Sequence, residues 1–314
     1  MNKPIKHICI TGWNGSGKSV LLSLLNGHDN VFSIPVHDKI PFGLLQLQRN
    51  LKKGLDSRPI RQALNNSSYY NWELVAKDGG VTILISSKKD DKVFVPIEMN
   101  FYEFEESWNK KLFNMDLWSS EAVSNLIYQE LSSILYSNYN KMDFFAYLGV
   151  KDMTLMEEYN ETFDNNLIIF VSRPIEGMIA TCLDRVLPYE SKKTYTKILR
   201  IKKIVNQSIK ISFYELKVRN FCIKNPINTK EILFSDLIEN KKEILKSTLE
   251  FLSLEYQDQQ VYPTLLQTPL EVNGKSYDEA EHDDPKKTLS ALEIYLIKFI
   301  NIIIKKFGNI FLGS

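Results

Sequence analysis

Short apolar runs alternate with longer stretches in which apolar residues return every three or four positions, along nearly all of the 314-residue chain. The first run, Ile5-Lys6-His7-Ile8-Cys9-Ile10-Thr11, reads as a buried strand that leads straight into a glycine-rich loop. Ser19 to Leu25 returns to helical spacing and stops at Asn26-Gly27, with glycine where a helix end favours it. Val31 to Val36 reads as a second strand, and Val81 to Ser86 with Lys92 to Ile97 flank a polar turn as a β-hairpin. Helical spacing covers 119–137. Asn166 to Ser172 is apolar throughout its interior, the pattern of a central parallel strand buried on both faces. A helix follows Pro174, and a long helical pattern covers 190–222. Glu231 to Phe234 is a short strand, after which Ser235 or Asp236 is placed to cap a helix over 237–252. The stretch 257–285 holds three of the eleven prolines and reads as irregular. Pro285 to Phe307 closes the chain as an apolar-rich helix. Strands alternating with helices predict an α/β fold around a mostly parallel sheet. The expected organisation is one domain over 1–314, with the hairpin in an insertion at 65–115.

The glycine loop narrows the fold further. Gly12-Trp13-Asn14-Gly15-Ser16-Gly17-Lys18-Ser19 fits G-x-x-x-x-G-K-[ST] between a strand and a helix, the context that motif requires. It predicts a three-layer P-loop architecture, with phosphate held by Asn14, Gly15, Ser16, Gly17, Lys18, Ser19 and Val20. Glycines let backbone N–H groups turn toward the phosphate, and the helix N-terminus adds partial positive charge. Kinases and nucleotide hydrolases of this kind also hold Mg²⁺ with an acid at another strand end. Here the clearest later strand ends Val171-Ser172-Arg173-Pro174, without an acid, and Glu98 ends a strand with a hairpin partner.

Arg173, followed eight residues later by Thr181, resembles a sulfotransferase signature, as does the run Ile232-Leu233-Phe234-Ser235-Asp236-Leu237 continuing to Leu252-Ser253-Leu254. A weaker likeness joins Pro263-Thr264 to Asn273-Gly274-Lys275-Ser276. The resemblance implies 3′-phosphoadenosine 5′-phosphosulfate (PAPS) as donor, with Arg173 and Thr181 on its 3′-phosphate, Lys18 on the leaving 5′-phosphate oxygen, and no metal. The chain departs from the family in its Gly-Ser-Gly-Lys-Ser loop, nearer to a nucleotide kinase, and in Leu-Ser-Leu where the family has Leu-Gly-Leu. The implied activity is sulfuryl transfer to a hydroxyl of a small molecule or glycan, a carbohydrate being the expected class. An ATP-dependent small-molecule kinase and a non-catalytic nucleotide-binding regulator are the alternatives.

A general base belongs near the tip of the second strand, where His37 and Asp38 both qualify. Glu98 and Glu103 stand next. Aromatics at Tyr69-Tyr70-Asn71-Trp72 and across Phe101 to Trp108 suit either a core or stacking on sugars. Hydrophobic residues at 44% and charged residues at 25% are ordinary for a soluble globular protein. A net charge of +1 argues against bulk attraction to nucleic acid. Within that balance, Lys192 to Lys224 carries ten Lys or Arg and only Glu215, a solvated helix face or the lining of an anionic approach. Asp278, Glu279, Glu281, Asp283 and Asp284 form an acidic counterpart. Three isolated cysteines, Cys9, Cys182 and Cys222, fit neither a disulfide framework nor a metal site. The loop lies about a dozen residues from the start, too near for a signal peptide, so the expected location is the cytoplasm. The closing helix reads as a packing helix, with contact to an anionic membrane the lesser reading.

Overall fold

Successive side chains of the first strand leave it in opposite directions, and every one from His7 to Thr11 is buried. That strand therefore needs cover on both faces. In the computed structural model, which describes residues 5–33, 40–50, 74–75, 80–86, 93–114, 119–135, 142–190, 197–265, 268–269, 271–272, 275–276 and 285–311, it has that cover.

Along the chain come β1 (Lys6–Thr11), α1 (Lys18–Leu25), β2 (Val31–Ser33) and α2 (Ile40–Asn50). Then follow β3 (Leu74–Val75), β4 (Gly80–Ser86), β5 (Val93–Asn100), α3 (Phe101–Phe113) and α4 (Ser120–Leu135). The middle contributes β6 (Phe144–Leu148), α5 (Met153–Thr162), β7 (Asn166–Ser172), α6 (Ile175–Glu190) and α7 (Lys197–Lys224). The last third holds β8 (Thr229–Leu233), α8 (Phe234–Glu239), α9 (Lys241–Leu252) and the short pairs β9 (Thr264–Leu265) with β10 (Thr268–Pro269), and β11 (Glu271–Val272) with β12 (Lys275–Ser276). Helices α10 (Pro285–Thr288) and α11 (Ala291–Phe311) end it.

Five strands form one parallel sheet in the order β2-β6-β1-β7-β8, registered by pairs such as Ile10 with Leu148 and with Ile169. On one face Ile8, Ile10, Ala146, Leu148, Ile169, Val171 and Ile232 pack against α1, α8 and α9. On the other, Cys9, Tyr147, Ile168 and Phe170 meet side chains of α2 to α5 and the second half of α7. Each fully buried aliphatic or aromatic side chain contributes roughly 1.5–3 kcal/mol. A third cluster joins α6, α7 and α11 through Ile179, Leu183, Ile204, Ile211 and Ile297. The predicted α/β architecture is therefore present, and the expected hairpin forms β4 and β5 of a separate antiparallel sheet.

Several elements differ from expectation. Phe144-Phe145-Ala146-Tyr147-Leu148, not anticipated as a strand, lies between β2 and β1. Helices α2 and α5 were also unanticipated. Ser235 and Asp236 do not cap the next helix; they lie in the first turn of α8, which breaks from α9 at Asn240. Ser253, the departure within Leu-Ser-Leu, closes α9 at φ 59°, the left-handed conformation that a glycine adopts without strain.

His7 belongs to this core. Its neutral ring is satisfied when Nε2–H donates to Asn125 Oδ1 at 2.9 Å and Nδ1 accepts from the Tyr147 hydroxyl at 3.2 Å. Burial depresses its pKa to about 4, a shift only partly opposed by the Asn125 bond. The unfolded chain takes up the proton near 6.5 and the folded one does not, so stability is full above pH 6.5 and is lost as pH falls toward 4. The loss amounts to about 3 kcal/mol. Urea midpoints measured between pH 7 and pH 4 should fall less steeply in His7→Gln than in the native chain. Equal slopes would show that His7 titrates as if unburied.

Candidate functional site

The loop leaving β1 takes its shape from two glycines. Gly15 sits at φ 80° and Gly17 at φ 93°, a region that side chains rarely adopt. Both also lie too close to neighbours to carry a Cβ: one at Gly15 would come within 2.9 Å of Thr181, and one at Gly17 would enter the Phe234 ring. The Ser16 amide bonds Trp13 O at 3.1 Å, tightening the turn. No side chain caps α1 at Gly17, and no acid stands in its first turn, so the positive end of the helix faces the loop. Lys18 Nζ lies across the loop, donating to Gly12 O at 2.9 Å. Ser16 Oγ is buried with no hydrogen-bond partner among the described residues.

Strand β7, hydrogen-bonded beside β1, delivers Arg173 next to that loop. The guanidinium side chain is 8% exposed and lies over the Phe234 ring, 5.2 Å from its centre. Gly177 makes the room, since a Cβ there would stand 2.7 Å from Arg173 Nε. Arg173 Nη1 approaches Thr181 Oγ1 at 3.5 Å, while the Thr181 hydroxyl donates to Gly177 O at 3.0 Å one turn back in α6. Gly15, Thr181, Arg173, Phe234 and Gly17 thus form one packed cluster, assembled from β1, β7, α6 and α8.

Two cavities meet this cluster, with Trp13 a wall of both. The larger, about 770 Å³, is lined by Gly12, Arg173, Tyr214, Glu215, Glu231 and Ser235 among others. At its rim Lys298 pairs with Glu176 at 3.4 Å and Lys305 with Glu215 at 3.2 Å. Burial pushes the Glu215 carboxyl above the usual range against the pull of Lys305. The smaller, about 280 Å³, is lined by Asn14, Gly15, Lys151, Thr181, Gln207 and Lys210, with Cys182 beside them. Lys151 Nζ stands 4.8 Å from the centre of the Trp13 ring. Lys151 escaped the sequence reading: it follows an unanticipated strand, β6. Lys210 and Arg219 come from the basic run and line one cavity each, whereas Lys202 and Lys217 of the same helix face solvent.

Other expected residues divide. Asn14 is exposed on the loop, and Lys18 and Ser19 are half-buried at its end. Val20, the first residue past that end, has its side chain buried in the core and its amide on Gly17 O at 3.0 Å. His37 and Asp38 lie outside the described residues, as do Tyr69 to Trp72 and the Glu98 side chain. Glu103 faces solvent on α3 and lines neither cavity. Two aromatics of that helix, Phe104 and Trp108, settle on the core, recurring at helical spacing and fully buried, while Tyr102 is exposed. Asp152, after β6, is spent on capping α5, accepting from the amides of Thr154 and Leu155.

No family model matches the chain, and no curated protein does. Among solved structures, the sulfotransferase domain from the curacin biosynthetic pathway superposes over 95% of this chain and 97% of its own, at 14% identity and a TM-score of 0.51. The sulfotransferase domain from the Synechococcus PCC 7002 olefin synthase covers 95% of each, at 12% identity and a TM-score of 0.44. The likeness to the curacin-pathway domain is one of fold: the chain is built as a three-layer, P-loop-like α/β domain of the kind sulfotransferases use.

Proposed function

We propose that this chain, with a sulfotransferase-type fold, is a sulfotransferase that takes a sulfuryl group from PAPS and passes it to a hydroxyl. The observation that carries the reading is the packed cluster: a phosphate-binding loop in van der Waals contact with an arginine–threonine pair that an ordinary ATP site does not need. The buried, unpartnered Ser16 Oγ and the uncapped start of α1 fit a bound 5′-phosphate group. The planar fork of Arg173, held by Phe234 and Gly177, fits a second phosphate on the ribose.

The donor supplies an activated sulfuryl group; the residues supply position and charge. Backbone amides of the loop orient the 5′-phosphate, and Lys18 turns from Gly12 O toward the bridging oxygen as that oxygen gains charge. Thr181 adds a hydroxyl beside Arg173. His37 or Asp38 removes the proton of the attacking hydroxyl. A carbohydrate remains the proposed acceptor class, with Tyr69 to Trp72 as its aromatic support now that Phe104 and Trp108 belong to the core.

Isothermal titration of adenosine 3′,5′-bisphosphate without metal tests the reading. It should bind more tightly than AMP, and Arg173→Ala should weaken it by about 1.5–3 kcal/mol, the range for a charge-assisted hydrogen bond, while AMP affinity stays. Equal affinity of the native chain for both nucleotides, or preference for ATP with Mg²⁺, would overturn the proposal in favour of a kinase.

A further inference from the structure

Helix α11 uses one face to join α6 and α7 through Ile297, with Ile304 also buried, and leaves a second apolar face open. On that open face Leu292 is 75% exposed, Tyr295 68%, Phe299 50% and Ile302 64%, with Ile303 and Phe307 beside them. These positions recur at intervals of three and four residues, so they form one stripe along the helix. Tyr295 and Phe299 stack on each other, 6.5 Å between ring centres. Scattered exposed apolar residues need no explanation, but a continuous stripe of this kind marks a contact surface.

The surrounding charge chooses the occupant. Helices α10 and α11 carry Lys286, Lys287, Lys298, Lys305 and Lys306 against one acid of their own, Glu293, which is tied to Arg200 at 2.6 Å; Lys298 and Lys305 pair with Glu176 of α6 and Glu215 of α7, which leaves a net positive margin. The neighbouring α7 adds exposed Lys202 and Lys217. A second copy of the chain fits poorly. A stripe of about 15 residues is about 22 Å long and about 10 Å wide, offering a few hundred Å² where a stable interface needs about 800 Å² from each partner. An aromatic-containing apolar stripe with lysines along its margin has the make-up of a helix lying in the interface of an anionic bilayer. We infer that the chain docks peripherally on anionic lipid through the open face of α11.

Flotation of the full chain with vesicles tests this. Vesicles of phosphatidylcholine containing phosphatidylglycerol should carry the protein upward, and pure phosphatidylcholine should carry far less. Phe299→Ser with Ile302→Ser, both at exposed positions, should lower binding at least about tenfold, and Lys306→Gln should lower it about fivefold. Circular dichroism of each variant should match the native chain. Absence of flotation with the anionic vesicles, or equal flotation with both kinds, would overturn the inference. So would a dimer in sedimentation velocity that Phe299→Ser with Ile302→Ser converts to monomer, since a second copy would then be the occupant.

Discussion

Lys18→Ala is expected to lower kcat for sulfuryl transfer by about 10²-fold or more, with KM for the donor changing far less. The ammonium already has a partner in Gly12 O, so its contribution to ground-state binding is an exchange of one contact for another. Its gain comes as the S–O bond breaks and the leaving 5′-phosphate oxygen acquires charge, which is a transition-state effect. Steady-state kinetics with a competent acceptor measure both constants. A rise in KM with turnover preserved would make Lys18 a binding residue and remove it from the chemistry.

Gly17→Ala should damage the site from beneath. The residue holds φ at 93°, and a Cβ there would enter the ring of Phe234, which is itself buried under Arg173. Adopting the left-handed conformation costs about 1–2 kcal/mol for alanine, and overpacking adds about 1–3 kcal/mol. Chemical unfolding should therefore show a loss of about 2–5 kcal/mol. Because Phe234 moves with Arg173, affinity for adenosine 3′,5′-bisphosphate should fall in the same variant. Native stability together with native affinity would mean that the loop relaxes freely and that the cluster is not packed as described.

Much of the frame is legible in local pattern. Ile8, Cys9 and Ile10 cannot satisfy a helix or an exposed strand, and the glycines after them admit few folds other than a phosphate loop. Asn166 to Ser172 is equally plain, because a strand covered on both faces must be apolar at every interior position. The run Phe144 to Leu148 is just as apolar, yet its five residues and aromatic content leave it open to a helical reading, and only pairing with β1 and β2 decides the matter. Helix α2 hides behind Pro41 and Gly43, whose weak helical propensity is overridden where Ile40, Phe42 and Leu45 pack into the core. The aromatics at 104 and 108 were ambiguous for a different reason. Spacing places them on one helix face, but what covers that face is a tertiary fact.

The sequence alone determined the loop, its helix, the strand that leads to Arg173 and the class of fold, since each rests on the chemistry of neighbouring residues. The tertiary structure alone decided that Thr181 touches Gly15, that Phe234 fills the space below Gly17 and Arg173, and that Lys151 and Lys210 share one cavity wall. It also turned one face of α11 outward, where apolar spacing had equally suited burial. Contacts of that kind join residues up to 217 positions apart, as between Gly17 and Phe234. Local propensity carries no information across that distance; the strand order β2-β6-β1-β7-β8 does, by setting β7 and its Arg173 directly beside the strand that feeds the loop.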